Sequence, residues 1–233
     1  MLVYGRNVAL EFLEKSKKVR RVYLQENFSE EKINSLIAKN KIHVDYVKKN
    51  ELDRLAKGRH QGVILDVDDF VYSNIEDFIY EDDAIVVILD HIEDPHNLGA
   101  IIRTCEAAGV NGIIIPKNRS VDVNATVIKT SAGAIENVDV ATVTNLKSTI
   151  EKLKKNGFWI IGTDMIDSVD YKNVDYSGKI ALVIGSEGDG MSRIVRESCD
   201  FIASIPMYGK VNSLNASVAA GIMIYEVIRN KRK

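Results

Sequence analysis

Five short apolar runs constrain the architecture of this chain more than anything else in it. Residues 84–90 read Ala-Ile-Val-Val-Ile-Leu-Asp, and 112–115, 158–162, 180–185 and 201–205 follow the same style. Runs without polar–apolar alternation must be covered on both faces, as in a parallel sheet packed between helices. Helical patterns fall between them, over 98–108, 146–156, 192–197 and 214–229. The order predicts an α/β domain with a mostly parallel sheet. Ligands of such sheets gather at the carboxyl ends of the strands.

The first part of the chain is built differently. Strands are expected over 19–24, 42–47 and 62–67, and helices over 7–15, up to 39 from a Ser29 cap, and over 51–57. These make a small α/β domain of about 70 residues. Six acids then follow (Asp69, Glu76, Asp77, Glu81, Asp82, Asp83), with scattered aromatics. The expected division is residues 1–70, a linker over 71–83, and a second domain over 84–233.

Charge separates the two parts as well. Residues 1–60 hold fourteen Lys/Arg against eight Asp/Glu, whereas the remainder holds seventeen against twenty-five. Such a basic part is either a plain solvated surface or a grip for an acidic partner. The two cysteines, Cys105 and Cys199, have no metal-site spacing and fit a reduced, cytoplasmic protein. No apolar run approaches about 18 residues, so no membrane span is expected. His91 and His96 straddle a proline turn without further ligands nearby, so no metal site is expected either.

Three polar segments follow strands of the second domain. In the first, Asp90-His91-Ile92-Glu93-Asp94-Pro95-His96-Asn97, Asn97 opens a helix that carries Arg103 among apolar residues. The ordinary roles are a helix cap for Asn97 and a salt bridge or surface position for Arg103. The functional role is anion binding by a guanidinium that must reach water or a negative group. The second segment, Gly185-Ser186-Glu187-Gly188-Asp189-Gly190, has its glycines in the reverse of the dinucleotide fingerprint and lacks a Walker lysine. Its glycines allow close approach of a ligand to the backbone, and Glu187 favours a neutral or cationic one over phosphate. A plain tight turn is the alternative. In the third, Ile205-Pro206-Met207-Tyr208-Gly209-Lys210-Val211-Asn212-Ser213-Leu214-Asn215-Ala216-Ser217, Ser213 is the natural cap of the last helix. Packing does not account for Asn212, Asn215 and Ser217.

Together the three segments resemble the signature motifs of the SpoU (TrmH) branch of the SPOUT RNA methyltransferases, in the same order and spacing over residues 84–233. Tyr4-Gly5 and His60-Gln61-Gly62 make the first domain similar to the small ribosomal-protein-like RNA-binding domain of one subgroup, the 23S rRNA guanosine-2′-O-methyltransferases.

The resemblance implies a trefoil-knotted α/β domain, S-adenosylmethionine as methyl donor and a ribose 2′-hydroxyl of RNA as acceptor. It implies cofactor contacts at Gly185, Ile205 and Leu214, with Thr163 and Met207 beside them. It gives the central role to Arg103, either as a base or as a cation that stabilises a developing alkoxide. Asn97, Glu187, Ser213 and Asn215 are implied to organise that arginine and the substrate. A homodimer with the site near the subunit interface is implied too. The RNA expected is 23S rRNA, with tRNA as the alternative. A non-catalytic RNA-binding factor of ribosome assembly is the rival of another class. A nucleotide-dependent dehydrogenase fails, since no strand is followed by the glycine fingerprint.

Overall fold

The structure is a computed structural model that describes residues 1–14, 19–56, 58–186, 188 and 190–231. It divides into two compact units, Met1–Val71 with Val123–Ala132, and Tyr72–Asp122 with Gly133–Lys233.

The first unit carries β1 (Leu2–Tyr4), α1 (Arg6–Glu14), β2 (Val19–Gln25), α2 (Glu31–Lys39), β3 (Val44–Val47), α3 (Lys49–Leu55) and β4 (Val63–Val67). Its sheet runs β1-β4-β2-β3, antiparallel except for the parallel pair β2/β3. Strand alternation puts Val22 and Leu24 on one face and Tyr23 on the other. Tyr23 packs with Leu52 of α3, Ala56 and Ile64, while α1 and α2 pack on each other. Ser29 does not cap α2: the cap position is Glu30, whose side chain makes no capping bond.

The second unit carries α4 (Glu76–Ile79), β5 (Ile85–Asp90), α5 (Pro95–Ala108), β6 (Gly112–Pro116) and, after the excursion of α6 (Ala125–Ser131) into the first unit, β7 (Asp139–Val143) and α7 (Leu146–Lys155). It continues through β8 (Phe158–Thr163), β9 (Val169–Asp170), β10 (Lys179–Gly185), α8 (Arg193–Glu197), β11 (Phe201–Ser204) and α9 (Ala216–Lys231). The strands form one sheet in the order β7-β6-β5-β10-β8-β11-β9, and every pair is parallel. All six residues of β5 are buried, as an apolar run covered on both faces requires. Val86 and Ile88 face a core shared with Phe78, Ile150 and Leu153, while Val87 and Leu89 are fully buried on the opposite side.

Two details of the division differ from the expectation. Residues 71–83 are not a bare linker. The Ser73 amide donates to the Val140 carbonyl at 2.9 Å, and Phe78 and Ile79 belong to the core of the second unit. Helix α6 groups with the first unit, where it packs against β1. Its apolar residues need that cover, and Val127 and Ile128 are buried.

From β5 the chain runs outward to β6 and β7, then crosses back to the other side of β5. Adjacent β5 and β10 therefore lie where the strand order reverses, and in an open parallel sheet the crevice beyond their carboxyl ends is the favoured ligand position.

Candidate active site

Loops at the carboxyl ends of β5, β8, β10 and β11 build the site. After β10, Ser186 and Gly190 close a tight loop through two backbone bonds, Ser186 N–H to Gly190 O at 2.9 Å and Gly190 N–H to Ser186 O at 3.1 Å. This explains glycine at 185: a Cβ there would lie 2.3 Å from the Gly190 carbonyl carbon and 2.4 Å from the Met191 nitrogen. At the end of β5, buried Asp90 ties the same loop down. Its Oδ2 accepts from the Ser192 amide at 2.6 Å, and its Oδ1 lies 2.5 Å from His91 Nδ1.

Two cavities flank this loop and share Ser186, Gly188 and Gly190 as wall. The first, about 380 Å³, lies over the ends of β8, β10 and β11. All five residues expected to contact a cofactor, Thr163, Gly185, Ile205, Met207 and Leu214, line it. Ile184, Ala216 and Ala219 add apolar wall, and Asp164 adds a carboxylate. The Thr163 hydroxyl donates to the Val183 carbonyl at 2.9 Å, which leaves its oxygen lone pairs as acceptors. The volume suits a small-molecule site. The apolar wall suits an aromatic base, and a carboxylate suits a cationic centre.

The second cavity, about 510 Å³, lies between the loop after β10 and the one after β5, with Asn97, His91 and Arg119 among its lining residues. Asn97 does not cap its helix. Asp94 does, with Oδ1 accepting from the His96 amide at 2.8 Å and Pro95 at the first helical position. That backbone bond holds the Asp94 carboxyl below its ordinary range. Asn97 is buried one turn in, where its Oδ1 accepts from Asn215 Nδ2 at 3.0 Å.

Ser213 does not cap the last helix either. Helix α9 starts at Ala216 and its cap is Asn215, whose Oδ1 accepts from the amides of Ser217 at 3.0 Å and Val218 at 3.4 Å. An oxygen engaged by backbone donors leaves the NH2 group to face Asn97, so chemistry fixes which way the amide points. Ser213 is exposed and lines the first cavity, as does Asn212.

The structure thus brings together Asn97, Asn215, Ser213 and the five cofactor positions, but not Arg103. Six residues along α5 rotate Arg103 by about 120° away from Asn97. It is exposed, lines neither cavity, and its side chain makes no hydrogen bond or ion pair with any described residue. Glu187 lies outside the described residues. Sequence reasoning missed Asp164, which directly follows Thr163 but carries no motif of its own. It also missed Arg119.

Both cysteines are structural. Cys105 is fully buried, which pushes its thiol above the ordinary range, and burial pushes the Cys199 thiol up to about 12. Among the described residues no cluster could hold a metal ion, and no helix is long and apolar enough to cross a membrane.

In the first unit the basic residues fall into two groups. Arg20 pairs with Asp66 at 2.9 Å and Asp68 at 3.6 Å, and Arg21 pairs with Asp45 at 3.1 Å. Lys48, Lys49, Arg54 and Arg59 are exposed and pair with no described acid. Lys15, Lys17, Lys18 and Lys57 lie outside the described residues.

A parallel α/β sheet with a cofactor-sized cavity beyond the carboxyl ends of β8, β10 and β11, preceded by a small mixed-sheet unit, is the build of a two-domain RNA methyltransferase. Known proteins agree. Residues 84–225 match the SpoU rRNA methylase family, and residues 2–73 match the RNA 2′-O ribose methyltransferase substrate-binding domain. A protein of Bacillus subtilis strain 168 named as a TrmH family tRNA/rRNA methyltransferase, YacO, is 44% identical over 98% of this chain and 95% of its own length. Two solved structures share the fold. The SpoU methyltransferase AviRb of Streptomyces viridochromogenes, solved with AdoMet, has a TM-score of 0.86 at 24% identity, covering 100% of this chain and 91% of that one. An AdoMet-bound rRNA methyltransferase of Sinorhizobium meliloti has a TM-score of 0.78 at 26% identity, covering 98% and 86%. The chain belongs to the SpoU rRNA methylase family and is an RNA methyltransferase of that family.

Proposed function

We propose that the protein transfers a methyl group from S-adenosylmethionine to a ribose 2′-hydroxyl, most specifically that of a guanosine in 23S rRNA. The observation that carries this reading is the cavity beyond β8, β10 and β11, lined by Thr163, Gly185, Ile205, Met207 and Leu214. A second cavity adjoins it across a single glycine-rich loop. The donor, when bound, supplies an electrophilic methyl group on a positively charged sulfur.

The chain's own residues do the rest. The backbone at Gly185, Ile205 and Leu214 holds the donor. Asp164 offers negative charge beside it, and Glu187 keeps the organising role that the family resemblance implies. Asn97 and Asn215 hold the start of α9 against α5 and fix the wall that faces the acceptor. Ser213 offers a hydroxyl at the rim. A 2′-hydroxyl needs its proton drawn off or its developing charge balanced. Arg103 fills that role as a cation, because a guanidinium keeps its proton in proteins. Its exposed position on α5 supports a homodimer in which Arg103 serves a site built with a second copy. Val218 and Tyr225, seven residues apart on one face of α9, are about half exposed and offer apolar surface for that contact.

The first unit grips the RNA through Lys48, Lys49, Arg54 and Arg59. Support for rRNA comes from the matched family and from the Sinorhizobium meliloti neighbour. The name of the Bacillus subtilis relative supports tRNA equally, so tRNA is the second reading. Either substrate, like the two reduced cysteines, belongs in the cytoplasm.

Mapping ribose methylation in rRNA and tRNA from cells lacking the gene tests the proposal. One missing 2′-O-methylguanosine in 23S rRNA is the expected result. A missing tRNA mark selects the second reading. Unchanged methylation in both RNAs would leave only a non-catalytic role.

A further inference from the structure

Arg119 stands out among the cavity residues that the function above leaves unused. It sits in the loop between β6 and α6 with φ +55°, the left-handed conformation that costs an arginine energy and that glycine adopts freely. The loop is nevertheless pinned at both ends. The Lys117 amide donates to the Val143 carbonyl at 2.8 Å. The Ile92 carbonyl accepts both the Val121 amide at 2.9 Å and the Ser120 hydroxyl at 3.1 Å. Ile92 itself belongs to the loop after β5, so Arg119 is braced against the segment that leads to Asn97.

Arg119 is exposed, lines the second cavity, and makes no hydrogen bond or ion pair with any described residue. Two carboxylates line the same cavity, Glu93 and Asp94, yet the guanidinium closes on neither. The Asp94 carboxylate is already committed to the helix cap. A strained, braced and unpaired cation at the wall of an acceptor cavity is suited to an anionic ligand.

We propose that Arg119 binds a backbone phosphate next to the acceptor ribose and so positions the 2′-hydroxyl against the glycine-rich loop. This rests on the reading of the second cavity as the RNA side of the site. Every ribose within an RNA chain carries phosphates on its 5′ and 3′ oxygens, so a cation beside the acceptor meets one whatever the base. The planar guanidinium can take two phosphate oxygens at once. Arg119 is thus a positioning residue that acts on the substrate backbone and sets no base preference.

The test uses the full-length protein with total rRNA from cells lacking the gene. Arg119→Gly removes the charge and also relieves the left-handed strain, so its thermal stability should equal or exceed wild type. Its RNA dissociation constant should rise roughly tenfold at low salt, and the slope of log affinity against log salt should fall by about 0.7 to 1. S-adenosylmethionine affinity should stay unchanged, and KM for RNA should rise more than kcat falls. Arg119→Lys should restore the salt slope but only part of the affinity, since an ammonium lacks the fork.

Wild-type affinity and salt slope in Arg119→Gly would overturn the proposal. So would a weakening confined to one base identity with the slope intact. A wild-type protein that binds rRNA but transfers no methyl group overturns the function above, while the slope still judges Arg119. A wild-type protein that binds neither rRNA nor tRNA overturns both.

Discussion

Asn215 donates through Nδ2 to Asn97 Oδ1 at 3.0 Å, joining residues 118 apart in the chain. With its other end, the same side chain caps α9 through the Ser217 and Val218 amides. One amide therefore sets both where the last helix begins and how it sits against α5.

The pair should be measurable as a coupling. Asn215→Ala loses a cap and a part-buried hydrogen bond, together about 2 kcal/mol of stability. Asn97→Ala loses the shared bond but no cap, so it should cost less. A double-mutant cycle by urea unfolding should give a coupling of about 1 kcal/mol. Additive losses would show that the two amides do not act together.

Gly185→Ala should damage the cofactor cavity more than the fold around it. The new methyl would meet backbone atoms of Gly190 and Met191 at 2.3–2.4 Å, so the glycine loop must shift. Calorimetric titration with S-adenosylmethionine should show at least a roughly tenfold weaker affinity, as expected when a preformed pocket wall moves. An unchanged affinity would mean that the loop is not the donor's seat.

Arg103→Ala should fold normally, keep donor binding and lose about 10²–10⁴-fold in methyl transfer. Because Arg103 lines neither cavity of its own chain, mixing Arg103→Ala with Gly185→Ala subunits should recover activity in the hybrid dimers. Failure of every mixture to recover, with subunit exchange verified, would place Arg103 and the donor site in the same chain.

RNA affinity should depend unevenly on the basic residues of the first unit. Neutralising Lys48, Lys49, Arg54 and Arg59 together should weaken binding and flatten its salt dependence. The slope should fall by about 0.7 for each single-strand phosphate that no longer meets a cation. Neutralising Arg20 and Arg21 should do less, since each already faces an acid. Filter binding across a salt series separates the two sets, and equal effects would remove the distinction.

The second unit was legible because its central strands are covered on both faces and so are apolar throughout. Such a pattern survives any detail of packing. β7 escaped notice because its five residues, Asp139-Val140-Ala141-Thr142-Val143, open on an exposed acid and occupy the sheet edge. β1 escaped because three residues are too few for a period. None of Ser29, Asn97 and Ser213, each a suitable cap by residue type, takes the cap position of its helix. Backbone dihedrals and hydrogen bonds settle a capping role: Asp94 and Asn215 take it for α5 and α9, whereas the cap position of α2 falls on Glu30, whose side chain makes no capping bond.

Residue identity alone determined the class of sheet and the three polar segments at strand ends, and the resemblance those segments carry implied the five positions that line the first cavity. These depend on local pattern and on the side chains themselves. Only the tertiary structure decided that α6 belongs with the first unit, that one glycine loop forms the wall of two cavities, and that Asn97 meets Asn215. It alone placed Arg103 outside both cavities and Arg119 inside one. Each depends on the distance between elements far apart in the chain: α6 and β1 in the first unit, and the loops after β5 and β10 in the second. No short-range pattern carries that distance.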